Sequence, residues 1–539
     1  MKFKIFFLVF IFFGIIKIHS QIDSIAQSKI NYQANKFKYL LEMLYKYSLD
    51  TFDINRVSDQ AFTKLFTSVH PQSLYLDKEE YLKIDEQNRG TSHGIGVDLA
   101  LLNDTLSIIK VVKKSPADSA GLMVGDKLLF IDGISVVRKL KQYADSLIKK
   151  PVGNQLHLIV RRFADNNWQL REFFIEVKDF RVPTVLAAFV FPKTKIGYVQ
   201  ISYFSDHTDE ELEKSLEALK KQGIEDLIID LRGNVGGVVE SAINCLNLFF
   251  PKNIKLLKIN SKMPELDTVI YSSKEGKYQK NRIVVIIDKQ SASASEIFAG
   301  AIQDNDRGII VGEQSFGKGT IQKIWRLTDS TGFRITVAEY FTPLGRSIQK
   351  NLDTTQKVQL DLVSQLTLDD KKRKEIEEQL NKIPPQNIQT FRTKNNRILI
   401  SMGGILPDVI VQNDTMNTLT RVLVQKGMFL EFAMNQYLVE KNNLFSEYKN
   451  NFVNFVLNYS VNEEKLELFK QFSIKRNIWN EQYFQQDKEY FKIYLKSLLG
   501  YLLWQDNAYK CAFGEADKTI RTAINSFDKY NNTLNIKQE

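Results

Sequence analysis

The sequence predicts a multidomain α/β protein with a helical N-terminal segment and an α-helical C-terminal domain. Three observations predict it. Between 195 and 303, strand-like runs alternate with helical ones: KIGYVQISYF, DEELEKSLEALKKQG, DLIIDLRG, VVESAINCLNLFF, RIVVIID and ASEIFAGAIQ. Such alternation is the pattern of βαβ units and a largely parallel sheet. Ahead of it, from His93 to Lys178, lie short β-rich runs separated by turns, and beyond Val411 the pattern turns helical and rich in aromatics. A chain of 539 residues, 43% hydrophobic with 11 Pro and 26 Gly, is long enough to bury several cores.

In chain order, the first element is MKFKIFFLVFIFFGIIKIHSQ, with Lys2 and Lys4 ahead of an uncharged run from Ile5 to Ile16. The run stops at Lys17, short of the roughly 20 apolar residues a spanning helix needs, so it predicts a signal peptide over 1–20 that is removed on export to the periplasm or cell envelope. No cysteine near the cut offers a lipid anchor. Residues 21–92 carry helix-period stretches such as FKYLLEMLYKYSLD and the turn-rich HPQSLYL. A compact β-rich domain over 93–180 follows, with one helical stretch, RKLKQYADSLIKK. The α/β core is expected over 181–411 and the helical domain over 412–539, with no internal repeat.

Composition excludes several classes of function. The formal charge of +10 becomes 10 − 3 = +7 once Lys2, Lys4 and Lys17 leave, and it is scattered rather than interleaved with aromatics, so no nucleic-acid role follows. Two cysteines, Cys245 and Cys511, cannot make a disulfide framework or a cysteine zinc site, and whether they pair is not deducible.

Chemistry concentrates in RIVVIIDKQSASASEIFAGAIQDNDRGIIVGEQSFGKGTIQ. A buried-type strand from Ile283 to Ile287 runs through a small-residue turn into a helix beginning near Ala294. Such a turn exposes a side chain at the carboxyl edge of a sheet, next to free N–H groups that can stabilise an oxyanion. Ser291, Ser293 and Ser295 all lie there. A serine needs a base, and His19, His70, His93, His157 and His207 all lie outside motif-like settings. Lys318, between two glycines in SFGKG, is the alternative, because a desolvated amine can be neutral and accept the proton.

The block SASASEIFAGAIQDNDRGIIVGEQSFGKGTIQ resembles the signature of the C-terminal processing (tail-specific) peptidases, which use Ser-Lys chemistry on a crotonase/ClpP-like α/β core. The resemblance implies Ser293 as nucleophile, Lys318 as base, Gln322 to orient the amine and Asp304 in a structural role. DLRGNVGG, Asp230 to Gly237, is similar to the family's oxyanion turn, which implies Gly236 or Gly237 as one donor and Ala294 as the other. Val235 stands where the family usually has Pro, and Gln290 where Gly or Asn is common. IGYVQISYF, YFTPLGRSIQ and GGILPDVIV extend the resemblance over most of 65–411.

SPADSAGLMVGDKLLFIDG, Ser115 to Gly133, resembles the core of a PDZ domain, and HGIGVDL its carboxylate-binding loop. The resemblance implies that N–H groups around Gly94, Ile95 and Gly96 cradle a terminal carboxylate while a strand edge takes the peptide by β-augmentation. The resulting expectation is an exported serine endopeptidase acting on proteins with accessible C-terminal tails, with no metal or organic cofactor required. A non-catalytic PDZ scaffold is the rival reading, and a small-acyl hydrolase or lyase ranks third. A homo-oligomer and an adaptor protein stay open.

Overall fold

A computed structural model describes residues 24–262, 267–350, 389–412 and 416–536. The expected signal peptide lies outside the described residues. The described residues divide into two compact units, one from within 1–78 and 324–335, the other from within 79–323 and 336–539.

In the first unit, helices Ser24–Tyr47 and Ile54–Val69 lead into the short strand Leu74–Leu76. Asp53 caps the second helix by accepting from Asn55 N at 2.8 Å, which satisfies one of the N–H groups a helix start leaves open. Leu74–Leu76 pairs antiparallel with 332–334, and Phe66 stacks on Phe333 with centroids 5.5 Å apart.

In the second unit, the core is a six-stranded sheet in the order Val185–Val190, Ile196–Ile201, Asp226–Asp230, Arg282–Ile287, Ile309–Gly312, Val409–Ile410. The first pair is antiparallel and the others parallel. Ile196–Ile201 and Asp226–Asp230 are buried at every position, as expected for strands covered on both faces. Val199, Ile201, Leu227, Ile229, Val285 and Ile287 face helices Thr208–Lys220, Val239–Leu246 and Ala294–Asp304. Tyr198, Ile228, Val284, Ile286, Ile309 and Val311 point the other way and share a core with the C-terminal helices. The predicted alternation is therefore present. It did not reveal a further β layer, in which Lys255–Ser261 pairs with Thr268–Tyr271 on one side and with 338–341 on the other.

The β-rich domain is a sheet in the order Val97–Leu102, Thr105–Val111, Lys127–Ile131, Gln155–Ala164, Asn167–Glu176, with the short helices Pro116–Ala120 and Lys141–Ile148. Its core is Leu106, Ile108, Leu128, Ile131, Leu156, Leu158 and Val160.

The C-terminal domain consists of helices, the longest Glu481–Phe513, which departs from helical geometry at Asp487 and at Trp504 and Gln505. Phe429, Phe469 and Phe491 interlock at its centre with centroids 4.7 to 5.8 Å apart. Burying each such ring contributes roughly 1.5–3 kcal/mol. This domain also grips the β-rich one: Lys110 pairs with Asp506 at 2.6 Å, and Leu102 belongs to the shared core. Cys245 and Cys511 are both buried and free.

Candidate active site

The strand Arg282–Ile287 ends at Asp288, whose carboxylate accepts from the amides of Gln290 and Ser291, both at 3.0 Å. This Asx-type turn folds the chain back before the helix Ala294–Asp304 begins. Ser291 and Ser295 are consumed by it. Ser291 Oγ donates to Leu231 O at 2.8 Å and Ser295 Oγ to Asn234 O at 2.9 Å, and both residues are fully buried. Ser293, between them, has φ 54° and ψ −113° and retains 8% exposure. A non-glycine residue in that region stores of order 1–3 kcal/mol of strain, as at the sharp strand-to-helix turns that present a nucleophile.

The DLRGNVGG turn packs directly on this one. Asn234 holds it by donating to Ile201 O at 3.0 Å and accepting from Gly236 N at 2.9 Å. A Cβ on Gly236 would lie 2.7 Å from Ala292 O, 2.8 Å from Ser293 Cβ and 2.9 Å from Ala294 N, and its φ is 104°. Only glycine permits this approach. The sequence left Gly236 and Gly237 as alternatives for an oxyanion donor. Gly236 N–H is occupied by Asn234, whereas Gly237 N–H and Ala294 N–H make no hydrogen bond with any described residue.

The backbone of Lys318 is tied to the Ser293 turn through Glu296, which the motif spacing did not single out. Glu296, fully buried in the first turn of the helix, accepts four hydrogen bonds. Its Oε2 takes the amides of Ser293 at 2.8 Å and Lys318 at 2.9 Å, and its Oε1 takes Ser315 Oγ at 2.5 Å and Gly317 N at 2.7 Å. One carboxylate oxygen therefore ties the Ser293 turn to the Lys318 loop. Burial raises its carboxyl to about 7, against the pull of those four donors. Tyr340 makes a second tie: its buried hydroxyl lies within bonding distance of the carbonyls of both Ser293 and Lys318. The Ser-x-x-Glu spacing of a capping box, Ser293 to Glu296, was the available signal for Glu296.

Gln322 lies on the strand Thr320–Arg326, its Nε2 donating to Thr320 Oγ1 at 2.9 Å. Asp304 is at the far end of the helix, eleven residues from Ser293, where it forms a fully buried ion pair with Arg346 at 2.5 Å and accepts from Leu344 N at 2.8 Å. In the β-rich domain, Gly94 and Gly96 have φ of 140° and 80° around the buried Ile95. A Cβ on Gly96 would sit 2.3 Å from Ser115 Cβ. The loop opens onto Val97–Leu102, an edge strand with no strand on its outer side among the described residues, and Lys141 of the helix Lys141–Ile148 pairs with Asp98 across that edge at 3.7 Å.

The chain is 31% identical over 332 residues to the carboxy-terminal processing protease CtpB of Bacillus subtilis (strain 168), a match covering 60% of this chain and 67% of that one. This chain belongs to peptidase family S41. Residues 195–362 match that family directly and residues 108–162 match the PDZ domain, while 419–506 match a family of unknown function, DUF8443. The carboxyl-terminal-processing protease of Synechocystis sp. (strain ATCC 27184 / PCC 6803 / Kazusa) is 31% identical over 291 residues, 53% of this chain and 67% of that one. The solved structure of a photosystem II D1 C-terminal processing protease covers 70% of this chain and 88% of its own, with 21% identity and a TM-score of 0.34. This S41 peptidase is a serine-type endopeptidase with a PDZ domain that binds peptide or protein substrates. No helix among its described residues is long and apolar enough to cross a membrane.

Proposed function

We propose that Ser293 is the nucleophile and Lys318 the general base of an exported endopeptidase that captures C-terminal tails of proteins. The observation that carries this reading is the shared anchorage of the two residues on Glu296 Oε2, beside two open N–H groups at Gly237 and Ala294. Of the three serines in the turn, the two neighbours are already spent on backbone carbonyls.

In the reaction, neutral Lys318 Nζ takes the Ser293 proton as Oγ attacks the scissile carbonyl carbon. The oxyanion that forms is held by Gly237 N–H and Ala294 N–H. Collapse breaks the C–N bond, the leaving amine takes the proton from Lys318, and an ester remains on Ser293. Water, deprotonated by Lys318, then hydrolyses the ester and returns the hydroxyl. Gln322 orients the amine, and Asp304 supports the far end of the helix through Arg346. The tail enters as an added strand on Val97–Leu102, its terminal carboxylate at the Gly94, Ile95 and Gly96 loop, which is the peptide-recognition mode open to an exposed sheet edge. The names of the relatives, which process carboxyl termini, agree with that direction of recognition.

The test is cleavage of a protein with an unstructured C-terminal tail by the chain and by Ser293→Ala, Lys318→Ala, Ser291→Ala and Ser295→Ala. The first two are expected to abolish cleavage and the last two to retain it with reduced stability. Equal cleavage by Ser293→Ala and the unaltered chain would overturn the assignment. Blocking the tail's terminal carboxylate as an amide should raise KM, and an unchanged KM would remove the tail from the reading.

A further inference from the structure

Gly237 N–H can serve an oxyanion only if it is correctly aimed, and its direction is set by the segment that follows the strand Ile196–Ile201. Phe204, fully buried, pairs with Gly237 in a parallel bridge. Phe204 N donates to Gly236 O at 2.9 Å and Val238 N to Phe204 O at 2.7 Å. Gly236 O and Gly237 N–H belong to one peptide group, which is planar and trans, so they point in opposite directions. The bond from Phe204 N to Gly236 O therefore aims Gly237 N–H away from Phe204 and leaves it free to donate elsewhere.

Phe204 is itself held in place through its neighbour. A Cβ on Gly237 would lie 2.1 Å from Phe204 O and 2.9 Å from Tyr203 Cε1, so the turn rests on the Tyr203 ring as well as on the Phe204 backbone. The Tyr203 hydroxyl donates to Asn88 Oδ1 at 2.9 Å. Asn88 lies in the last turn of the helix Lys78–Arg89, and its backbone carbonyl accepts from Asp206 N at 2.8 Å. Just beyond that helix, a Cβ on Gly90 would come within 2.6 Å of Ser205 Oγ, at a φ of 64°. Residues 203–206 are thus held between the end of this helix on one side and the oxyanion turn on the other.

We propose that Tyr203 and Asn88 are positioning residues of the oxyanion hole, their hydrogen bond fixing the 203–204 backbone against the Gly236–Gly237 peptide and so the aim of Gly237 N–H. They act through that peptide rather than on the substrate. The inference rests on the reading of Ser293 as nucleophile and of Gly237 and Ala294 as oxyanion donors. Because the oxyanion exists only once Ser293 Oγ has attacked, a donor out of line weakens the transition state and not the bound substrate. It therefore lowers kcat and leaves KM unchanged.

Steady-state cleavage of a protein with an unstructured C-terminal tail by the full chain, by Tyr203→Phe, by Asn88→Ala and by the double variant tests it. Affinity for a peptide aldehyde that ends at the cleaved bond is the second measurement. The Ser293 Oγ–carbon bond forms as the aldehyde C=O π bond opens and the hydroxyl proton passes to Lys318, which leaves an oxyanion where the reaction makes one. Each single variant is expected to lower kcat about tenfold at unchanged KM, less than the roughly 10²–10³-fold that follows loss of a whole oxyanion donor. Aldehyde affinity should fall by the same factor. Both substitutions break one bond, so the double variant should lose no more than either single one. Partial unfolding would lower the active fraction, and with it the apparent kcat, without touching aldehyde affinity. A fall in kcat at unchanged aldehyde affinity, losses that add in the double variant, a rise in KM in place of the fall in kcat, or full kcat in both single variants while Ser293→Ala is inactive would each overturn the proposal. Full cleavage by Ser293→Ala would instead overturn the reading on which it rests.

Discussion

Replacing Glu296 by Gln tests whether one buried carboxylate sets the geometry of the site. The carboxylate accepts two donors on each oxygen: the amides of Ser293 and Lys318 on one, Ser315 Oγ and Gly317 N on the other. A glutamine puts an NH₂ in place of one oxygen, so two donors lose their acceptor whichever way the amide turns. At about 1–3 kcal/mol for each orphaned buried donor, the loss is roughly 2–6 kcal/mol against the ionised carboxylate. Burial opposes ionisation and raises this carboxyl from 4.5 to about 7. A group raised in the folded state holds its proton there while the unfolded chain releases it. Wild-type stability therefore falls as pH rises from the unfolded value through about 7, by about 3 kcal/mol. The glutamine variant has no such slope, so its deficit should shrink by about that amount between pH 4.5 and pH 8. Urea unfolding at both pH values, at unchanged m, measures the difference. With Ser293 and Lys318 loosened from their shared anchor, kcat should drop about 100-fold with little change in KM. A deficit that does not vary with pH, or full kcat in a folded variant, would refute the reasoning.

Gly236→Ala forces a Cβ to within 2.7–2.9 Å of Ala292 O, Ser293 Cβ and Ala294 N at a φ of 104°, and should abolish cleavage while the PDZ domain still binds peptide, as a binding assay beside the activity assay would show. Tyr340→Phe removes the hydroxyl shared by the Ser293 and Lys318 carbonyls and should cost about 0.5–1.5 kcal/mol in urea unfolding, with a lower kcat. Asp304→Ala leaves Arg346 buried without its partner and should destabilise by about 3–5 kcal/mol, without a matching loss of kcat in whatever remains folded at low temperature.

The parts legible in the sequence are those governed by local period. Fully buried strands such as Ile196–Ile201 and Asp226–Asp230 read as continuous apolar runs, and the helices between them as 3.6-residue patterns, so the α/β core was visible from spacing. The Ser293 turn was visible as a strand, small residues and a helix, but spacing did not separate Ser293 from Ser291 and Ser295; resemblance did. Their burial supplies the physical reason, because two of the three hydroxyls are needed to hold the neighbouring DLRGNVGG turn. That Gly236 N–H is taken by Asn234 while Gly237 N–H is left open had no local signal, since it depends on where the Asn234 side chain goes. Glu296 escaped for the same reason: at the third position of a helix a glutamate reads as an ordinary cap, and only the loop closing from 315–318 turns it into a shared acceptor. The C-terminal helices show the limit most plainly. Their aromatic content announced a core, yet nothing in their period says that Phe429 and Leu423 share it with Tyr198 and Ile228 of the peptidase sheet, nor that Asp506 reaches Lys110 of the PDZ domain. A helical domain that holds both the sheet and the PDZ domain fixes the one against the other, so Asp506→Ala should loosen the PDZ domain before it affects the Ser293 turn.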